Sequence, residues 1–319
     1  MSDDIWKKIK NDIKLFGFKI DETFLDEIVN RDLDSIFTNL FFLPCLKIDS
    51  LKENFFISFK DINENIYKVN RYIGRGSFKK TYIVSTDKNK QYVYRYPIDK
   101  TSDIKILLIN YIETFIHVFL YCYQKKYFME DKFINVKNVG YNIEHKFIGT
   151  LIKKMDGNLY SILSNKKIEW SEKVKILYDC LIWICDVLEN LQENLKFVHN
   201  DLKADNIFFK LTDKKYTFFI GDLDGVRLKV DNKVIIASTI FDNNIYFNKK
   251  KDLFILTNSL FFSFHDVELL TEFFNFFNLK EFSSQEEFHL IYEYEDDFIE
   301  DIYIPSNYKK IFNNNFFLS

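Results

Sequence analysis

Apolar residues in the first part of the chain recur at helical spacing. Ile5, Ile9, Ile13 and Phe16 fall along one face with charges on the other, which predicts a helical segment over residues 1 to about 45. From Tyr67 to Tyr96 the texture changes to short β-branched and aromatic runs, "YKVNRYIG", "KTYIVST" and "QYVYRYP". Gly, Asp and Lys-Asn turns separate them, and the pattern predicts an antiparallel meander. Asp103 to Tyr127 returns to helix, and "NVGYNIE" and "KFIGTLIKK" read as two more strands. After "MDGN" the chain becomes mainly helical, through "LYSILSN" and a long amphipathic run from Ser171 to Leu195. Two short strands, "NIFFKL" and "TFFIGD", then bracket a "TDKK" turn ahead of the later helices. There is no internal repeat, no Pro- or Ser-rich linker and no low-complexity tail.

The chain has 319 residues, 47% hydrophobic and 18% aromatic, enough for a large buried core and for two domains or one bilobal unit. The fold class expected is α+β, a sheet-rich lobe with one helix followed by a helical lobe. A net charge of −3 points neither to a nucleic-acid partner nor to an anionic membrane surface, so any anion site must be local. Cys45, Cys122, Cys180 and Cys185 lie scattered on apolar segments without CxxC spacing, and the five histidines are equally dispersed. A reduced, cytoplasmic, monomeric protein without structural zinc is therefore expected. The N-terminus mixes both charge signs among apolar residues, unlike a signal peptide. Ile106 to Tyr123 is nearly long enough to span a bilayer, but Asn110, Glu113 and His117 near its middle would be costly in lipid. A buried helix is expected there, and no membrane span.

Five segments carry candidate chemistry. In "IGRGSFKKTYIV", Gly74 and Gly76 at a strand turn remove side chains where a backbone must approach phosphate closely; taken alone, a plain β-hairpin explains them equally well. "YVYRY" sets Arg95 on the next strand, and the only acidic residue between Ile104 and Met129 is Glu113, placed to hold that cation in position. "FVHNDLKADNIFFK" orders His199, Asp201, Lys203 and Asn206 at fixed spacing after a long helix. Further on, "FFIGDLDGVRL" puts Asp222 just after an apolar strand, and "NKKKDLFILTNSLFF" puts Asp252 at the start of a hydrophobic helix.

Taken together, and in this order, these segments resemble the eukaryotic-type protein kinase superfamily over roughly Lys68 to Phe262. "GRGSFKKTY" and "HNDLKADN" are the specific parts. The resemblance implies a bilobal fold with an antiparallel-sheet N-lobe bearing one helix, residues 67–153, and a mainly helical, shortened C-lobe, residues 154–319, preceded by a helical extension, residues 1–66. It implies an ATP-dependent phosphotransferase using Mg2+ or Mn2+, acting on a Ser or Thr hydroxyl of a protein substrate. Asp201 would orient the acceptor hydroxyl, Lys203 would offset charge on the moving phosphoryl group, and Asn206 with Asp222 would hold the metal. Ile73, Gly74, Arg75, Gly76, Ser77, Phe78, Lys79 and Thr81 would cover the nucleotide, whose phosphates Arg95, paired with Glu113, would grip. Main-chain groups around Lys153 to Met155, next to Ile152, would meet adenine, and Asp252 would brace the catalytic loop.

The sequence departs from the family at five points. Lys79 replaces the third glycine of the phosphate loop, where a basic side chain can also reach phosphate. Arg95 stands for the strand lysine, a wider and planar donor. Asn200 replaces the arginine that receives an activating phosphate, which implies constitutive activity. Leu223 and Asp224 stand where Phe and Gly are usual. Asp222 and Asp252 are only 30 residues apart, with no A-P-E triplet. Two further readings stay open: a small-molecule phosphotransferase of the choline, aminoglycoside or sugar type, and a nucleotide-binding pseudokinase scaffold.

Overall fold

The computed structural model describes residues 2–16, 18, 20–30, 58–60, 66–75, 79–97, 104–142, 147–237, 247–263 and 299–315. They form two compact units, one of residues 1–154 with 229–238, the other of residues 155–228 with 239–319.

The first unit is built on a six-stranded sheet. Its strands are β1 (Ser58–Lys60), β2 (Ile66–Arg75), β3 (Lys79–Thr86), β4 (Gln91–Pro97), β5 (Val136–Asn142) and β6 (Phe147–Lys153), in the order β1-β2-β3-β4-β6-β5. Every neighbouring pair is antiparallel. The expected meander is present, with strand β1 added on its edge ahead of Tyr67. The predicted N-terminal helix is two helices, α1 (Ser2–Lys14) and α2 (Phe24–Asn30). Asp21 accounts for the second start: its carboxylate accepts from the Thr23 amide at 2.9 Å and hydroxyl at 2.8 Å just before α2. Residues 31–57, including the rest of the predicted helical stretch and Cys45, lie outside the described residues.

Helix α3 (Ile104–Tyr127) comes after β4. It is apolar on nearly every side, and such a helix must be covered all round. It packs on β4, β5 and β6, and α1 packs on it in turn. Ile5, Ile9 and Ile13 are buried, and Phe24 meets Phe115 of α3 edge-on at 5.3 Å. Phe18 stands edge-on to Tyr111 and Phe115 at 5.9 and 5.8 Å. Two polar residues of α3, His117 and Gln124, meet main-chain groups of the segment that comes after the helix. The His117 ring lies 2.8 Å from the Ile134 carbonyl oxygen, and Gln124 accepts from the Lys132 and Phe133 amides at 2.7 Å each. Among the described residues no helix is long and apolar enough to cross a membrane.

The second unit is mainly helical. Helix α4 (Leu159–Leu163) starts at a capping box in which Asn158 and Ser161 exchange bonds, and α5 (Trp170–Leu195) supplies the long buried stripe. A short β7 (Gly157–Asn158) pairs with β8 (Ile207–Thr212), which pairs with β9 (Lys215–Ile220). Asp213 and Lys214 turn the hairpin at positive φ, 50° and 63°. Helices α6 (Lys251–Ser263) and α7 (Pro305–Asn315) close the unit, with Thr257 and Tyr308 hydroxyls bonded at 2.8 Å. Strands β10 (Arg227–Val230) and β11 (Lys233–Ile236) were not expected; β11 packs against α2 in the first unit. The observed fold is thus α+β, with an antiparallel-sheet unit carrying one long packed helix and a mainly helical unit.

Candidate active site

The first unit brings together three charged side chains. In a strand alternate residues share a face, so Lys79, Thr81 and Ile83 point one way from β3. The antiparallel register sets Thr81 opposite Arg95 and Lys79 opposite Pro97, which places Lys79 and Arg95 diagonally on that same face. Glu113, 1% exposed, accepts from Arg95 Nη1 at 2.8 Å through one oxygen and pairs with Lys79 Nζ through the other. The structure thus brings Arg95 and Glu113 together. The second cation does not follow from the motif alone; the available signal was the period of two in "KKTYIV" combined with strand register.

Other residues of this unit expected to contact nucleotide are more scattered in their surroundings. Ile73 is exposed, and Thr81 is half-buried. A Cβ added to Gly74 would meet nothing within 4 Å, so its missing side chain is not a packing demand of the protein and leaves room for a ligand. Arg75 ends β2; Gly76, Ser77 and Phe78 lie outside the described residues. Lys153 donates its amide hydrogen to the Asn135 carbonyl at 2.9 Å, so that particular group is already engaged. Met155, half-buried, begins the second unit.

The second unit carries Asp201, Lys203, Asn206 and Asp222. Helix α5 stops because Lys196 adopts a left-handed conformation, φ 47°. Phe197 and Val198, both fully buried, anchor the loop that begins at His199, and Val198 exchanges two main-chain bonds of 2.8 Å with Arg227. Asp252, fully buried at the start of α6, accepts from the His199 amide at 2.9 Å through each oxygen and from the Asn200 amide at 3.0 Å. Burial pushes the Asp252 carboxyl above its ordinary 3.8, with the nearby His199 and the two amide bonds pulling the other way. Asp252 therefore fixes the main chain at His199 and Asn200, where the loop begins.

Asp201 emerges from this braced segment. Its carboxylate accepts from Lys203 Nζ at 2.8 and 3.1 Å, and from the Asn206 side-chain amide at 3.0 Å. A 3-10 turn, Ala204–Asn206, folds the chain back so that the same amide also reaches the Asp201 carbonyl at 2.8 Å. Asn158 was not singled out from sequence, yet its amide donates to the Asp205 carbonyl at 3.1 Å and steadies that turn. An Asn between Asp-Gly and an apolar run is a helix-cap signal, and here the cap also serves the loop.

Asp222 comes after β9 in a left-handed conformation, φ 57°, and Asn200 shares that unusual region at φ 63°. Non-glycine residues held there gather at functional sites. Gly221 donates its amide to the Asn206 carbonyl at 3.0 Å, which puts the two expected metal ligands on adjoining loops. Burial lowers the Lys203 value, but the Asp201 bond and the charges of Asp201, Asp222 and Asp205 outweigh it, so Lys203 sits above its ordinary 10.5. Asp201, Lys203, Asn206 and the Asp222 loop thus form one connected group.

No protein-family model matches the sequence, and no curated protein matches it. Among solved structures, that of vaccinia related kinase 3 is similar at 15% identity, covering 56% of this chain and 53% of that chain, with a TM-score of 0.38. This chain spans about half the length of that one.

Among the described residues no cluster of three or more His, Cys, Asp or Glu side chains is arranged to hold a metal by itself. Magnesium bound with nucleotide is commonly held through one or two carboxylates plus phosphate oxygens. The Asn206 side-chain nitrogen donates to Asp201, which leaves the side-chain oxygen as the atom that could hold a metal.

Proposed function

We propose that this chain is an ATP-dependent phosphotransferase that transfers the γ-phosphoryl group of Mg-ATP to a Ser or Thr hydroxyl of a protein substrate. The observation that carries the reading is the hydrogen-bonded set Asp201, Lys203 and Asn206, held by Asp252 and joined through Gly221 to the loop of Asp222. An ordinary charged turn has no need of a fully buried aspartate bonded to two of its amides.

Phosphoryl transfer asks a protein mainly for positioning and charge. Lys79 and Arg95, steadied by Glu113, would bind the triphosphate oxygens, with the main chain around Gly74 close by. Asn206 and Asp222 would hold magnesium, which when bound neutralises charge on the phosphates. Asp201, fixed by Lys203 and Asn206, would accept a hydrogen bond from the acceptor hydroxyl and align it. The acceptor oxygen bonds to the γ-phosphorus as the bond to the ADP oxygen breaks, and the hydroxyl proton passes by way of Asp201. Lys203, charged well beyond neutral pH, would stabilise the phosphoryl oxygens in transit.

A small-molecule acceptor is the second reading, favoured by Arg95, by "DLD" and by the short interval between Asp222 and Asp252. Purified full-length chain with magnesium and γ-labelled ATP should label itself or casein-like acceptors. Label confined to amino-alcohol or sugar acceptors would select the second reading. Nucleotide binding without transfer to any acceptor would leave a scaffold, and absence of binding would overturn the proposal. Asp201→Ala should abolish transfer while sparing nucleotide binding.

A further inference from the structure

Asn200 occupies an unusual place. It is 2% exposed, its φ is 63°, and its own amide is held by Asp252. Its side-chain nitrogen donates to the Gly225 carbonyl at 2.8 Å, three residues beyond Asp222. Gly225 has no room for a side chain: a Cβ there would stand 2.9 Å from the His199 carbonyl oxygen and 3.5 Å from the Asn200 Cβ. The same stretch is tied at both ends, by the His199 ring 3.0 Å from the Gly221 carbonyl and by the Val198–Arg227 bridge. Between these ties, the Leu223–Gly225 turn is held to the Asp201 loop by the Asn200 amide.

The residue type fits the task. A left-handed backbone at a non-glycine position favours Asn. A short amide reaches the neighbouring main chain from there, whereas a longer side chain would have to leave it. Asp252 sets the Asn200 backbone, and Asn200 sets Gly225, so a buried aspartate at the foot of α6 is linked in two steps to the turn carrying Leu223 and Asp224.

We propose that Asn200 is a positioning residue for metal binding at Asp222, acting through the Gly225 carbonyl. This rests on the phosphotransfer reading given above. Asn200 itself touches neither nucleotide nor metal in this scheme; it keeps the Asp222 loop at a fixed distance from Asn206, so that both ligands are pre-set.

Three variants of the full chain separate positioning from mere packing. Asn200→Gly keeps the left-handed backbone and removes the tie. Asn200→Asp keeps the shape but turns an acceptor towards the Gly225 carbonyl. Asn200→Ala removes the tie and strains the backbone. Loss of one buried hydrogen bond predicts that Asn200→Gly and Asn200→Asp raise the magnesium concentration for half-maximal transfer about three- to tenfold. The KM for ATP at saturating magnesium should stay within about twofold of wild type. Equal magnesium dependence in wild type and Asn200→Gly overturns the proposal, as does a uniform loss of kcat without any magnesium shift. Hydrogen exchange gives a readout independent of catalysis: the Val226 and Arg227 amides should exchange faster in Asn200→Gly, and unchanged exchange there shows the tie to be without effect. Wild-type protein that transfers nothing overturns the phosphotransfer reading, while the exchange result still decides whether Asn200 fastens this loop.

Discussion

Glu113 serves two cations, and the consequences differ for each partner. A buried carboxylate stripped of its cations is strongly destabilising, whereas either Lys79 or Arg95 alone still compensates it. Glu113→Gln should therefore lower stability by about 3–5 kcal/mol, because it leaves two nearly buried cations side by side, while Lys79→Met and Arg95→Met each cost less. The double variant should depart from additivity, since both act on one carboxylate. Thermal and urea unfolding of the four variants checks this, and equal losses for Glu113→Gln and Lys79→Met would contradict it. Arg95→Lys keeps the charge but loses the planar donor set. It should leave the midpoint near wild type and reduce kcat/KM for ATP about tenfold. A gain instead would mean that the site does not depend on the guanidinium. Asp252 supplies a second residue-scale prediction. Asp252→Asn replaces an acceptor oxygen by an amide group facing main-chain N–H groups, at a cost of about 1–3 kcal/mol. The folded carboxyl lies above 3.8, its unfolded reference. Its ionised form therefore costs stability at neutral pH, and that cost is relieved as pH falls through the folded value towards 3.8. The stability gap between wild type and Asp252→Asn should widen from pH 7 towards pH 4, as read from urea midpoints. At this scale the sequence singled out Asp201, Lys203 and Asn206, which the structure brings together, because their spacing is local and their backbone path is short. It did not disclose the Lys79 and Glu113 pairing or the Asn200 and Gly225 bond, which depend on strand register and on two loops meeting across 25 residues.

Elements whose hydrophobic period is strong were legible, and those whose partners lie elsewhere were legible only in part. Helix α3 shows the distinction. Its apolar circumference marks burial, and Asn110, Glu113 and His117 mark a protein interior, yet nothing local says what covers its second side. The cover is α1, α2 and the residues between them, through Trp6, Phe18 and Phe24 against Tyr111 and Phe115. Phe24→Ala should cost about 3–5 kcal/mol, the usual range for a buried Phe truncation, measured by urea unfolding. Little change would mean that the N-terminal helices lie on α3 without supporting it. Strands β10 and β11 illustrate the opposite case. Each has four residues, at the short end for a strand, and the signal in "RLKVDNKVII" rests on Asp231 and Asn232, which turn at φ 49° and 63°. Tight packing between strands was equally hidden: a Cβ on Gly149 would stand 2.5 Å from the Tyr94 hydroxyl, although "FIGTLIK" alone marks Gly149 only as a weak strand position.

On the scale of the whole molecule, the first unit is discontinuous. The chain leaves it after Lys154, returns for residues 229–238, and leaves again. The returning piece includes β11, which packs on α2, with Ile235 1% exposed and Lys233 paired to Asp26. That ion pair is largely exposed and contributes little by itself, so the apolar contact must supply most of the attachment. Helix α2 has only seven residues, too few to persist without tertiary packing. The N-terminal helix and a hairpin more than 200 positions later in the chain therefore depend on one another. Ile235→Asn in the full-length protein should speed hydrogen exchange at the α2 amides while leaving α5 amides protected as in wild type. Lys233→Ala should produce a much smaller change, in keeping with an exposed pair. If Ile235→Asn left α2 exchange unaltered, α2 would owe its stability to Trp6, Phe18 and Phe115 alone, and the return of the chain to the first unit would have no energetic role. If exchange rose instead in α2 and α5 alike, the substitution would have unfolded the molecule globally, and the milder Ile235→Val, which removes a single methylene, would have to show the α2-specific increase for the mutual dependence to stand.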